Sequence, residues 1–329
     1  MSALTYPEAI FVGLLQGVSE LFPVSSLGHS VLVPALIGGQ WANDMNMTVT
    51  DSPYLTVLVM MHVATAVALV VFFWKDWVRI VSGLFTAIRY RSVQTPDERL
   101  AVLLVVATIP VGIAGVILDK VLREYLGKPV PAAIFLALNG VVLFTVERMQ
   151  RNRADDEEFM NAFRRPPGSE DETMIIPQIS ATEVTTPLTA VSTEQAIDAR
   201  LAKLGWGEAI SIGACQIFAL LPGISRSGIT MVGGLMRGLK HEDAARFAFL
   251  LATPVIAAAG LFKLPEMFSP DMHGSLGPAV VGSILGGIAS YFSVRFLTNY
   301  FETRTLKPFA LYCIAAGVIS LIVFGVGLR

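Results

Sequence analysis

Long apolar runs alternate with short polar connections along this chain. Runs close to the bilayer-spanning length of roughly 20 residues occupy positions 55–74, 100–118, 131–146, 247–262, 279–297 and 309–327. Each is nearly free of charge, so each is predicted to be a helix that crosses a membrane. Two further apolar segments, about 8–36 and 208–235, are interrupted by proline, glycine, serine and an ionisable residue. Bare backbone is unstable against lipid, so a break at membrane depth must be buried in protein or line a wet cavity. Each segment starts and finishes on one side of the predicted topology. Both are therefore read as re-entrant helix–break–helix hairpins. The expected fold class is an all-α integral membrane protein with six transmembrane helices plus two re-entrant hairpins.

Charge sets the orientation. Most of the 24 basic residues fall in four connections, which hold Lys75 to Arg99, Arg148 to Lys203, Arg237 to Arg246, and Arg295 to Lys307. The positive-inside rule places all four in the cytoplasm. The connections 40–54, 119–130 and 263–278 then lie outside, as do both termini. No Lys or Arg precedes Lys75, so the start of the chain lacks the positive region of a signal peptide. The segment 148–204 is acidic and then rich in Thr, Ser and Pro, the composition of a flexible, solvated cytoplasmic linker. It separates a first membrane repeat, 1–147, from a second, 205–329.

Composition agrees with this reading. The chain of 329 residues is 53% hydrophobic and 15% charged, against about 25% charged in a soluble domain. The net charge of −2 comes with no basic stripe, so nucleic acid is not an expected partner. Cys215 and Cys313 lie in apolar stretches and read as small buried hydrophobes.

The two interrupted segments are copies of each other. Aligned at an offset of 200, residues 6–29 and 206–229 are identical at eight of 24 positions, including Glu8/Glu208, Gly13/Gly213, Gln16/Gln216, Ser25/Ser225 and Gly28/Gly228. Ala107-Thr-Ile-Pro110 is echoed by Ala252-Thr-Pro254. Three predicted spans separate the hairpins, which inverts the second copy. Proteins of this inverted-topology kind place their site near the midplane, where discontinuous helices meet. Much of the identity is Ala, Gly and Ser, which also permits close helix packing. Gly282 and Gly286 are spaced as a packing pair.

The breaks hold the candidate chemistry. Gln16 and Glu20 share a helix face at i, i+4, and Pro23 ends that helix. Ser25, Ser26 and His29 follow. The second break holds Gly223, Ser225, Arg226, Ser227, Gly228 and Thr230. A Gly- and Ser-rich turn entering a helix is an anion site, and Arg226 adds a guanidinium suited to phosphate. Ionisable groups in apolar segments are costly unless they are paired or functional. Glu20 and His29 suit proton transfer or a metal, and a serine beside a base suits nucleophilic attack. The structural alternatives are a buried Glu20–Arg226 ion pair, a core role for His29, and serines that only cap helices. His62 reads as structural, and His241 and His273 as loop residues.

Gln16-Gly-Val-Ser-Glu20, Pro23-Val-Ser-Ser-Leu-Gly-His29 and Pro222-Gly-Ile-Ser-Arg-Ser-Gly-Ile-Thr230 resemble the motifs of the bacterial undecaprenyl-diphosphatases of the bacitracin-resistance type. The resemblance covers both membrane halves. It implies hydrolysis of undecaprenyl diphosphate to undecaprenyl phosphate and inorganic phosphate at the outer face of the cytoplasmic membrane, which recycles the lipid carrier of cell-wall synthesis. By matched position, Glu20, His29, Arg226 and Ser26 carry catalysis. Gln16, Ser25, Gly223, Ser225, Ser227, Gly228 and Thr230 bind substrate. The resemblance also implies a divalent cation, Mg²⁺ or Ca²⁺, with Glu20 as the metal ligand. Gln16 stands where many members have Glu, so a site built on two glutamates is not expected here. The sequence leaves monomer and homodimer open.

Two other readings compete. Inverted repeats with broken helices also build transporters, so a carrier or flippase of a phosphorylated lipid would use the same site. Ser26-Leu-Gly-His29 and Ser225-Arg226 resemble fragments of another membrane phosphatase class, but Val232 stands where that class needs a second histidine.

Overall fold

The computed structural model describes residues 4–47, 53–164, 193–267, 272, 274–325 and 327. His273 and the linker residues 165–192 lie outside the described residues. The described chain is helical throughout. Its elements are α1 (Tyr6–Ser19), α2 (Ser26–Ile37), α3 (Gly39–Asp44), α4 (Pro53–Phe72), α5 (Trp74–Tyr90), α6 (Pro96–Leu126) and α7 (Pro129–Arg164), then α8 (Thr193–Leu201), α9 (Trp206–Cys215), α10 (Arg226–Met236), α11 (His241–Met267), α12 (Leu276–Thr303) and α13 (Lys307–Gly325). A 3₁₀ turn, Gln216–Leu220, extends α9.

Among the described residues six helices are long and apolar enough to span a membrane: α4, α6, α7, α11, α12 and α13. They match the six apolar runs of the sequence, and the chain is a multi-pass membrane protein. The helices of the two interrupted segments are different. α1, α2, α9 and α10 have 14, 12, 10 and 11 residues. At about 1.5 Å per residue, none reaches the roughly 30 Å needed to cross. Each pair is a helix, a break and a second helix.

Packing pairs the two halves crosswise. α1 lies along α12, and its equivalent α9 lies along α6. The first spans of the two halves, α4 and α11, face each other, and so do the third spans, α7 and α13. Two contacts show how close the crosswise packing is. A Cβ on Gly13 would stand 2.1 Å from the Gly282 carbonyl oxygen, and a Cβ on Gly213 1.9 Å from that of Ala107. Only a residue without a side chain fits either place, which is how small residues bring membrane helices into backbone contact. Gly286 receives Gly17 in the same way. The predicted packing role of Gly282 and Gly286 is therefore observed.

Local sequence starts the equivalent helices alike. Glu8 accepts the Thr5 amide at 2.9 Å, and Glu208 accepts the Gly205 amide at 2.7 Å. Each satisfies an amide at its own helix N-terminus. The Glu8/Glu208 identity is thus a capping device.

Helix enters the polar segment after position 147 from both ends. α7 continues to Arg164, and α8 begins at Thr193. The reason at the second end is a buried ion cluster. Asp198, 2% exposed, receives Arg79 Nη2 at 2.6 Å and Arg246 Nε at 2.7 Å, and Arg246 also reaches Asp76 at 3.0 Å. Arg200 adds contacts of 2.6 Å to both Glu242 and Asp243. α8 is clamped against α5 and α11 by charge satisfied on several sides. The same helix supplies the apolar Ile197 and Leu201 to the core. Both cysteines are free, with Cys313 buried and Cys215 half-buried.

Candidate active site

The two breaks meet, and serine caps hold them together. Ser25 caps α2 and Ser225 caps α10; each Oγ accepts the amide three residues on, from Gly28 and Gly228, at 3.2 Å. Ser25 is in the left-handed region, at φ 68°, which is costly for a residue with a side chain. Its Oγ also accepts the Gly223 amide at 3.2 Å, tying the first break to the second. Gly223 has φ 111°, and a Cβ there would stand 2.4 Å from the Ala132 carbonyl oxygen. From α7, Asn139 accepts the Ser225 amide at 3.0 Å and donates to the Pro23 carbonyl at 3.2 Å. Ser227 Oγ donates to the Phe22 carbonyl at 3.2 Å, and Thr230 Oγ1 to the Arg226 carbonyl at 2.7 Å.

These bonds answer one question the sequence left open. Ser25, Ser225, Ser227 and Thr230 use their hydroxyls on the backbone of the breaks, and the amides of Gly223 and Gly228 are already donated. All six sit at the site, and their observed bonds are those of its scaffold. The helix N-termini remain open. The first-turn amides of α2 and α10, those of Ser26 and Leu27 and of Arg226 and Ser227, have no acceptor within their own helices.

Glu20 is the centre of the cluster. It caps the C-terminal end of α1 and is 6% exposed. One carboxylate oxygen faces Arg226 Nη2. The other accepts Ser26 Oγ, Gln16 Nε2 at 3.0 Å and His62 Nε2 at 3.1 Å. Arg226 is aimed by a second bond, from Nη1 to the Ala252 carbonyl at 3.2 Å. Gln16 donates from its amide nitrogen, while its Oε1 is buried without a partner.

His62 is the residue the sequence reading missed. Its Nδ1 lies 2.7 Å from the Leu58 carbonyl and its Nε2 faces Glu20. Both ring nitrogens meet acceptors, an arrangement that the doubly protonated imidazolium satisfies. The available signal was an ionisable residue inside an apolar span. What hid it was its position on α4, remote in sequence from both motifs.

His29 is placed apart from Glu20. Its Nδ1 meets the Ser25 carbonyl at 2.7 Å, so that nitrogen carries the proton. Nε2 faces the Tyr312 hydroxyl at 2.7 Å, with Tyr312 contributed by α13. The imidazole lies on the same face of α2 as Ser26, three residues earlier. The expected pairing of Glu20 with His29 is therefore not a direct bond.

The cluster can deprotonate a hydroxyl and hold an anion. Ser26 Oγ–H points at a carboxylate, the arrangement of a nucleophile and its base. A guanidinium and two helix N-termini surround them. The ion pair expected between Glu20 and Arg226 exists, at the centre of this polar cluster. A divalent cation fits poorly as the residues stand. Among the described residues no group of three His, Cys, Asp or Glu side chains is placed to hold a metal ion, and every contact of the lone carboxylate is a donor. Hard cations need several oxygen ligands.

Comparison with known proteins settles the relationship. A family model described as "Bacitracin resistance protein BacA" matches residues 9–165 and 172–319. The chain belongs to the BacA family. The match takes in both helix–break–helix units and all six spans. It also resumes within the polar segment, at 172, so the family pattern includes the clamped helix α8. An undecaprenyl-diphosphatase of Mycolicibacterium paratuberculosis is 54% identical over 321 residues, 97% of each chain. Undecaprenyl-diphosphatase 1 of Frankia casuarinae is 45% identical over 99% of this chain and its own full length. A third relative, undecaprenyl-diphosphatase 2 of Chromobacterium violaceum, is 36% identical over 96% of this chain and 97% of its own.

Proposed function

We propose that this protein hydrolyses undecaprenyl diphosphate to undecaprenyl phosphate and inorganic phosphate, and so returns the lipid carrier to cell-wall synthesis. The observation that carries the reading is Ser26 hydrogen-bonded to Glu20 beside Arg226, in a chain whose relatives bear that enzyme's name over their whole length. The carrier alternative draws no support from those relatives.

Arg226 and the first-turn amides of α2 and α10 hold the diphosphate and stabilise the charge that develops on it. Glu20 takes the proton of Ser26 as Oγ bonds to the terminal phosphorus. The bond from that phosphorus to the bridging oxygen breaks, and undecaprenyl phosphate leaves. A water then attacks the phosphoserine, releases phosphate and restores Ser26. His62 keeps Glu20 in place, and His29 with Tyr312 moves protons on the far side of Ser26. Donors already occupy Glu20, and no step here is assigned to a metal.

The two helix–break–helix units are re-entrant hairpins entering from opposite faces of the cytoplasmic membrane. The basic ends of the spans face the cytoplasm, the termini lie outside, and the site opens outward.

The test is phosphate release from undecaprenyl diphosphate by purified protein in detergent, with and without EDTA. Wild type is expected to release phosphate; Glu20→Ala, His29→Ala and Arg226→Ala are expected to lose it while remaining folded. No release by folded wild type, with or without added metal, would overturn the proposal.

A further inference from the structure

The basic end of the bundle holds a concavity lined by none of the residues around Glu20. It lies between the outer part of α7, the α10–α11 turn and the α12–α13 turn, and its volume is about 890 Å³. Arg151, Arg153, Lys240, Arg304 and Lys307 line it, together with three acids. Two of those acids are neutralised by the fold. Buried Glu147 accepts His241 Nε2 at 2.8 Å and the Leu306 amide at 3.3 Å. Glu242 meets Arg200 at 2.6 Å. Glu302 is the remaining acid. Among the described residues, Arg153, Lys240, Arg304 and Lys307 form no ion pair.

The walls are anchored. The Glu147 contacts join α7 to the starts of α11 and α13, and Gln150 donates to the Leu235 carbonyl at the end of α10. Two long helices, α11 and α13, begin at this rim, at His241 and Lys307, and their N-terminal dipole ends add to the positive potential. Cations held close around one recess repel each other, and a bound anion relieves that repulsion. The recess is at headgroup level. It lies where the apolar spans Leu276–Thr303 and Lys307–Gly325 end and begin. Tyr300, whose hydroxyl bonds the Thr305 carbonyl at 3.2 Å, and Phe301 stand there, in keeping with an aromatic interface belt.

We propose that this pocket is a binding site for the phosphate groups of an anionic membrane lipid, separate from the candidate active site and independent of the proposed reaction. Basic pockets between spans on the cytoplasmic side suit such headgroups. The shared chemistry is a phosphate oxyanion of two or more charges, which a lipid or free phosphate would supply.

The experiment uses the full chain in dodecyl maltoside. Native mass spectrometry and thermal unfolding are followed with added cardiolipin, phosphatidylcholine or inorganic phosphate. The wild type is compared with Lys240→Gln/Arg304→Gln, and with Arg89→Gln/Arg91→Gln as a control of equal charge loss at the C-terminal end of α5. Cardiolipin is expected to bind wild type and control alike. Its affinity should fall about 25-fold in the pocket variant, about fivefold for each cation removed. Phosphatidylcholine should not bind at this site. Equal cardiolipin binding by the pocket variant and wild type would overturn the site. Protection by inorganic phosphate alone, lost in the pocket variant, would overturn the lipid as its occupant.

Discussion

The two helix–break–helix units share a backbone and divide the chemistry. Glu8 and Glu208 cap the first helix of each; Gly13 and Gly213 let each press on a carbonyl of the other half; Ser25 and Ser225 cap the second helices. Where the copies differ, they carry the reactive groups. Ser26 corresponds to Arg226, Glu20 to Leu220, and His29 to Ile229. In the proposed reaction one unit thus supplies the base and the hydroxyl and the other the cation. The identities between repeats are mainly scaffold, and the proposed reaction draws on the differences. Gln16 and Gln216 are the informative exception. Gln16 donates to Glu20, whereas Gln216, 1% exposed, has a buried amide nitrogen with no partner.

The sharpest way to break this division is to remove its cation. Arg226→Ala is expected to lower turnover by about 10²- to 10³-fold, the usual loss of a group that stabilises developing charge. The protein should elute as wild type on size exclusion. Near-normal turnover would mean that the second unit is scaffold only. Ser26→Ala should cost at least about 10²-fold, and wild type quenched during turnover should carry a phosphate on Ser26 by mass spectrometry. A fully active Ser26→Ala protein would transfer the attack to water.

Smaller effects refine the comparison. Gln16→Leu should reduce turnover about tenfold, because Glu20 loses one donor at a cost of about 1–2 kcal/mol. The equivalent Gln216→Leu should leave turnover unchanged and stability equal or higher, since a buried polar group without a partner is removed. Matched losses at the two positions would show that the copies share a role. Last comes the cap. Ser225→Ala should lower stability by about 1 kcal/mol and change turnover less than Ser26→Ala, as measured by thermal unfolding and phosphate release on the same samples.

Much of this was legible in the chain. The six spans follow from hydrophobic length, and α7 and α13 lie where their runs were read. The breaks were marked by Pro23, Pro222 and Gly223, and Glu20, Ser26 and Arg226 stood out as polar groups in apolar surroundings. The roles within the breaks were harder to read. Ser25 and Ser26 are adjacent and chemically equal, yet one holds the turn and the other points at a carboxylate. Which hydroxyl does which depends on a backbone φ of 68° at Ser25, and local composition does not reveal that. Asp198 was hidden for a similar reason, because an acid in a polar segment looks solvated until Arg79 and Arg246 are seen around it.

By itself, the sequence determined the class of protein, the number of spans, the duplicated unit and the residue types available for phosphate chemistry. Hydrophobic length, helix-breaking residues and the cost of charge in lipid are properties of short stretches, and they act wherever the stretch ends up. Only the tertiary structure decided that His62 and Tyr312, each from a span with no motif of its own, complete the surroundings of Glu20 and His29. It alone set Arg226 against Glu20 across 206 positions of chain. Such contacts depend on how close two backbones come, and here glycines with no room for a Cβ set that distance.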